Sequence, residues 1–414
     1  MAIDHPVGIN VKVEVRWNPP TWSDISSDVR FLELKSSQRS RLQQTYDPGS
    51  LRMVLDNSAR KYDPLHTSGT FFGNLKPGKD VRITFDSASA AATEVWYGRT
   101  DRFLINYDQS NRDSTMTLTC EDALSAAGRG QVPAGAGMAA TYGAGSGTTI
   151  GRLSQMNTEA GNPLDSVGQA SYLPSMVATF APWSEWDETT SHNLLDEVRA
   201  CSDLEVAPIV SSATAFSLVY HGRHWFKERS GSSTIQTTLG TGGLPFYSVT
   251  PLFDADELIT AVSMTDLDGN AVIAIDASGV SNYGTRYPAA SYDRLPSQFD
   301  EVLEGAANTM LSLRATEEFR LDEVVVKPGS DTGWRQYLIE LALLDRITVN
   351  FTPTGVGSAL ALDYFIDGIT HQISPGDWTT VYSLMPANRY DDALPDDLFI
   401  IGSSLVGGSD LVGF

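Results

Sequence analysis

The stretch DYFIDGITHQISPGDWTTVYSLMPA, residues 363–387, decides how this chain is read. It sets His371 between Asp367 and Asp377, beside Trp378, Thr379 and Thr380. One reading is an acid–histidine site; the other is a hairpin. Spacing favours the hairpin. Ser374-Pro375-Gly376-Asp377 puts Pro and Gly at the two central positions of a type II turn. Side chains alternate between faces along a strand. Ile369, His371 and Ile373 therefore share one face, and Trp378, Thr380, Tyr382 and Leu384 share another. His371 is expected to be a packed, hydrogen-bonded histidine. Asp377 belongs to the turn, and Gly368 marks a bulge.

The same pattern stands near the other end, in VWYGRTDRFLINYDQSNRDSTMTLTCEDAL (95–124). An aromatic strand carries Gly98, a polar turn spans Asp108–Asp113, and a Thr-rich alternating strand follows. Two β units on one plan are expected. Period-two alternation also marks strands at 11–17, 51–56, 81–85, 115–120, 205–210, 215–220, 258–266, 271–276, 321–327 and 346–351. Helices are few. Residues 191–202 put Leu194, Leu195, Val198 and Cys201 on one face, with Thr190 or Ser191 as N-cap. Residues 298–316 put Phe299, Val302, Leu303, Ala306, Met310 and Leu313 on one face, with Ser297 as N-cap. Two Gly/Ser/Thr-rich stretches, 128–151 and 230–243, read as linkers. The last residues form an acidic joint (Asp391, Asp392, Asp396, Asp397) and an apolar tail. That tail is too short to fold alone and needs a neighbour to dock on.

The 414 residues suggest roughly two to four domains. The net charge of −22 excludes nucleic-acid binding as the main function, though such a surface suits a wall past which DNA slides. Two cysteines, Cys120 and Cys201, make neither a disulfide framework nor a zinc cluster. The N-terminus alternates and lacks the apolar core of a signal peptide. No apolar run reaches bilayer length, so no membrane insertion is expected. These features point to folding in a reducing cytosol.

Each local motif has a simple structural reading. In HGRH, His221 and His224 lie three apart, on opposite faces of a strand, with no third ligand at metal spacing. In TDLDGN, Asp266, Asp268 and Asn270 imitate the start of a calcium loop. That loop needs Gly and Glu where Ala271 and Ala277 stand, so the motif reads as a hairpin turn. GAGSGTT (143–149) lacks the lysine of a phosphate loop. PWSEWDE (182–188) offers Trp183, Glu185, Trp186, Asp187 and Glu188, which suggest paired-carboxylate hydrolysis but equally suit helix packing. No serine sits in a nucleophile elbow and no cysteine has an activating histidine nearby. No catalytic, cofactor-binding or metal-ligating residue is assigned, and no enzymatic activity is expected.

Longer segments carry a family resemblance. They are WSDISSDVRFLELKSSQRSRLQQTYDPGSLRMVLDNSARKYDP (22–64), GNLKPGKDVRITF (73–85) and VWYGRTDRFLINY (95–107). Later come HNLLDEVRA, LITAVSMTD, YGTRYP, DRITVNFTP and FIDGITHQISPGDWTTVYSLMPA. In this order, over roughly three quarters of the chain, they resemble phage minor tail proteins of the tail hub in long non-contractile tails. Residues 128–180 and the tail after Asn388 lie outside the resemblance.

The resemblance implies a mainly β fold with minor α: two tail-tube-like antiparallel β barrels, an α/β segment and a C-terminal extension. The implied division is 1–125 (first barrel), 126–235 (linker and small α/β domain), 236–390 (second barrel, with the helix near 298–316 inserted) and 391–414 (extension). It implies a homotrimer whose six similar barrels form a ring at the virion tail tip, assembled in the host cytoplasm. The ring would join a six-fold tube to a three-fold tip and serve host attachment and DNA ejection. The implied partners are the distal tail protein ring, the tape measure protein and other tip or fibre proteins, with DNA only as passing cargo. Two alternatives stand beside it. One is a hexameric distal tail ring protein, which has a single tube-like barrel. The other is a tail-associated peptidoglycan hydrolase using Trp183, Glu185, Asp187 or Glu188.

Overall fold

The computed structural model describes residues 9–39, 45–87, 90–107, 114–133, 149–169, 191–222, 225–253, 255–266, 269–288, 291–295, 300–315, 319–328, 338–353 and 357–393. The 108–113 turn, Ser297, His224, Asp268, most of GAGSGTT, the whole of PWSEWDE and the apolar tail lie outside them.

The chain is mainly β, and its largest element is a thirteen-stranded sheet. Its strands in chain order are β1 (Ile9–Asn18), β2 (Thr21–Asp24), β3 (Val29–Lys35), β4 (Ser50–Asp56), β5 (Asp80–Ser87), β6 (Ala90–Asn106), β7 (Thr115–Glu121), β8 (Ile235–Gly240), β9 (Ser248–Leu252), β10 (Arg320–Val326), β11 (Arg346–Phe351), β12 (Leu360–Ser374) and β13 (Asp377–Pro386).

These strands form two arrays with one connectivity. The first runs β3-β4-β7-β6-β5-β1, and the second runs β9-β10-β13-β12-β11-β8. Taken in chain order within each array, the sequence of neighbours is the same. One pairing differs: β1 lies antiparallel to β5, whereas β8 lies parallel to β11. The two look-alike hairpins are equivalent members, β6–β7 and β12–β13. Each long strand bulges near its middle, between Thr100 and Arg102 and between Ile366 and Gly368. The extra residue is an aspartate both times, Asp101 and Asp367.

Neither array closes into a barrel among the described residues. The free side of β3, which would close the first array, is instead occupied by β12. Residues 360–365 of β12 pair with β11, and residues 370–373 pair with Leu32–Lys35 of β3. The bulge at Asp367 lies between these two partners. β12 is thus the seam of the molecule. One apolar core runs beneath both arrays, from Val13, Met53 and Phe85 to Ile347, Trp378 and Tyr382.

A second core underlies the helical parts. One part holds helices Thr149–Glu159 and Leu194–Glu205 and a three-stranded sheet of Ser166–Gln169, Ser217–Tyr220 and Ile209–Ser211. The other is inserted between β9 and β10. It holds strands Ala261–Asp266, Ala271–Ile275 and Tyr292–Leu295 and helix Asp300–Ser312.

Three local expectations are corrected. The helix expected at 191–202 runs from Leu194 to Glu205, capped by Asn193, whose side chain accepts from Leu195 N. It uses the residues expected to begin a strand at 205; that strand starts at Ile209. The stretch 230–243 is no linker, since it forms helix Ser230–Ser233 and strand β8. Small polar residues can lie in a strand when a neighbour supplies the ladder, as β11 does here.

Candidate functional site: the seam between the arrays

His371 is buried in the seam, opposite Leu34 of β3. Its Nδ1 lies 2.8 Å from Thr380 Oγ1, and the Trp378 indole N–H donates to the same hydroxyl at 3.0 Å. The hydroxyl can accept from Trp378 while donating to a neutral imidazole. Burial lowers the His371 pKa to about 3, so the ring is uncharged at neutral pH. Its face meets Phe85 of β5 edge-on, at 5.2 Å between ring centres. The expected packed histidine is what the structure holds, and the ring it packs on belongs to the other array. Gly376 has φ +82°, as the third position of the turn requires.

Asp367 faces a different environment. Its carboxylate accepts from Arg39 Nε at 2.8 Å and from Tyr46 Oη at 2.8 Å. Both donors lie on the short strand pair Gln38–Arg39 and Tyr46–Asp47, just after β3. All three side chains are buried. Beyond them, Arg389 donates to Glu257 at 2.6 Å, and Arg320 lies 3.5 Å from the same carboxylate. Burial pushes the Glu257 carboxyl up, but Arg39, Arg389 and Arg320 outweigh it and hold it at about 2. Burial and the Asp367 charge push Tyr46 well above the usual phenol range. Burial works against the Arg39 charge, but Asp367 and Glu257 overcome it and raise its pKa. A cavity of about 130 Å³ touches this network at Gln38, Arg39, Glu257, Arg320, Asp367 and Ser383. Arg39 and Arg320 line it together with Glu257, Asp322, Glu323 and Asp367, so charges of both signs face it.

A third tie joins the first array to the α/β part. Asp122 caps helix Ala123–Ala127 by accepting from Ser125 N at 2.9 Å. It also accepts from Gly49 N at 2.6 Å, Ser211 Oγ at 2.7 Å and Ser37 Oγ at 3.2 Å. Gly49 permits this approach: a Cβ there would stand 2.6 Å from the Lys35 carbonyl oxygen. Sequence reasoning missed Asp122, Arg39 and Glu257. Nothing local marks them, since most of their partners are remote in sequence.

The other sequence candidates stay apart. His221 packs edge-on against Trp225 at 4.4 Å, and burial takes its pKa to about 3. Asp266 accepts from Asn270 N and Nδ2, each at 2.8 Å, in a hairpin turned by Gly269 at φ +88°. Cys120 and Cys201 are separate buried thiols, and burial pushes both pKa values up. Among the described residues no three His, Cys, Asp or Glu side chains gather as a metal site. No described helix is long and apolar enough to cross a membrane. The seam is a binding device within one chain: it fastens two β arrays by a ladder, an aromatic contact and buried ion pairs.

Comparison with known proteins places this architecture. No family model matches the sequence, and no curated protein matches it. The chain is similar in structure to the tail protein from Neisseria meningitidis MC58, with a TM-score of 0.60 and 13% identity, over 94% of this chain and 100% of that one. It is similar also to the 43 kDa tail protein of prophage MuSo2 from Shewanella oneidensis. There the TM-score is 0.52 at 13% identity, over 92% of this chain and 99% of that one. The fold is therefore one that tail proteins use over their full length.

Proposed function

We propose that this chain is a structural hub protein of a bacteriophage tail. Three copies would form a ring of six similar units at the tail tip, joining a six-fold tube to a three-fold tip. The observation that carries this reading is the repeated strand order within one chain. A chain holding two equivalent arrays can meet a six-fold neighbour with three copies. The fold shared with tail proteins supports the same reading. The charge of −22 suits a passage through which DNA slides without sticking. The partners would be the distal tail ring, the tape measure protein and tip proteins. The role is mechanical, with no catalytic step.

Native mass measurement of the purified chain, and a symmetry-resolved reconstruction of its ring, test this proposal. Three copies per ring are expected. Six copies would replace it with the distal tail ring reading. Peptidoglycan cleavage abolished by Glu185→Gln would overturn the non-catalytic role.

A further inference from the structure

The repeat has one contact made and one left open. Within the chain, the outer edge of β3 pairs with the distal part of β12, residues 370–373. In the other array, β9 stands where β3 stands, and β6 stands where β12 stands. β9 pairs with β10 on one side, and no strand pairs its other side among the described residues. β6 pairs with β5 through residues 90–99 and with β7 through residues 99–106. Past Thr100, the side of β6 that β5 leaves has no described backbone partner. Each edge is the counterpart of one that is filled.

Exposure differs in the same sense, although the Tyr107 side chain is hydrogen-bonded to Asp63 and Arg60. Counting from the two bulges, Tyr107 corresponds to Ile373. Ile373 is 0% exposed beneath the β3 contact, whereas Tyr107 is 48% exposed. On the other edge, Tyr247 and Phe253 flank β9 at 69% and 64% exposure. These edges cannot satisfy each other within one chain, because β9 ends the sheet and six strands separate it from β6. An unpaired strand edge bordered by apolar side chains is a template for another chain.

We propose that the β9 edge of one copy of this chain pairs with residues 105–107 of β6 in the next copy, reproducing between chains part of the β3–β12 ladder within the chain. The proposal rests on the hub reading and deepens it by assigning the contact surface. The internal ladder fixes the register. Leu32 pairs with Ile373 and Glu33 with Gln372. Carried across the repeat through the β4–β7 and β10–β13 ladders, these pairs become Val249 with Tyr107 and Thr250 with Asn106. Pro251 lacks the N–H that would extend the ladder, so the contact stops there, shorter than the internal ladder of Leu32–Lys35. Two different edges meet, so the contact is head-to-tail, the kind that closes a ring when the rotation allows.

Disulfide trapping in the full-length chain tests the register. The double variant Thr250→Cys/Asn106→Cys is expected to cross-link between chains under mild oxidation, and neither single variant is. Mixing the two single variants should give cross-linked pairs. The native Cys120 and Cys201 are buried and stay silent. A cross-link within either single variant would mean a two-fold contact and overturn the proposal. An oligomer that resists trapping in the double variant would overturn this surface while leaving the hub reading standing. A folded protein that stays monomeric at high concentration would overturn both. The number of chains in the trapped species tests the hub reading separately.

Discussion

Arg39 meets Asp367 across 328 residues of sequence, at 2.8 Å, with both side chains buried. The pair stands where β12 leaves one array for the other. Taking two charges out of water is costly, and the pair is favourable only because each group is fully used. Removing Asp367 leaves Arg39 buried and charged without its hydrogen-bonded partner, and Tyr46 without its acceptor. Asp367→Ala should lower stability by about 3–5 kcal/mol. The apolar double variant Arg39→Met/Asp367→Leu should recover most of that loss. Denaturant unfolding of the single and double variants measures both.

The two bulged strands differ in their tolerance of a methyl group. A Cβ on Gly98 would stand 2.2 Å from the Glu121 carbonyl oxygen and 2.3 Å from the Trp96 ring. A Cβ on Gly368 would meet the Gln38 side chain, at 2.7 Å from its Cγ. Backbone and a buried indole cannot yield, whereas glutamine can rotate away. Gly98→Ala should cost roughly 2 kcal/mol or more, and Gly368→Ala about 1 kcal/mol or less. Paired thermal melts decide the ranking, and equal losses would contradict it.

Acid should weaken the seam through Glu257 and His371. The Glu257 pKa is held at about 2, below its ordinary value, so its stabilisation is complete above the unfolded pKa and is lost as pH falls toward 2. His371 also lies at about 3, below its ordinary value. It too favours the folded state at high pH and loses that contribution below about pH 6.5. Stability should therefore fall steadily from pH 6 to pH 3. Glu257→Gln should flatten the lower part of that slope by about 2 kcal/mol while costing stability at pH 7. Unfolding curves across this range test the sign.

Asp203 should act in the opposite direction. Burial raises its pKa to about 7, against the pull of Arg314 and Arg199, and its Oδ1 has no hydrogen-bond partner among the described residues. A carboxyl raised in this way is most favourable when protonated, and its contribution declines as pH rises from about 4 to 7. Asp203→Asn should stabilise the chain by roughly 1–2 kcal/mol at pH 8 and have little effect at pH 4. A loss of stability at pH 8 would show that the arginines, not burial, govern this site.

Local pattern carried much of this in advance. The turn at Pro375-Gly376, the bulge at Gly368, the packed His371 and most strand positions follow from alternation and turn chemistry. They depend on neighbours within a few residues. The seam depends on pairs such as Leu34 with His371, and nothing local marks those two strands as partners. β8 was hidden by its own composition: QTTLG is small and polar, and only the parallel ladder with β11 makes it a strand. Asp122 looked like the end of a strand, yet it gathers Ser37, Gly49, Ser125 and Ser211 from separate parts of the chain. Barrel closure was expected by analogy. It fails among the described residues: β12 occupies the edge of β3 that would close the first array, and the outer edge of β9 in the second pairs with no described strand.

The seam also sets an order of events during synthesis. β3 is complete once residue 35 has left the ribosome, but its partner on β12 is made only near the end of the chain. At roughly 5–20 residues per second, the 328 residues between Arg39 and Asp367 take some tens of seconds. For that interval the first array waits with a bare edge and a half-covered core. Newly made chains are then most open to mispairing with one another, and a cell producing this protein in quantity has most reason to shield its first hundred residues.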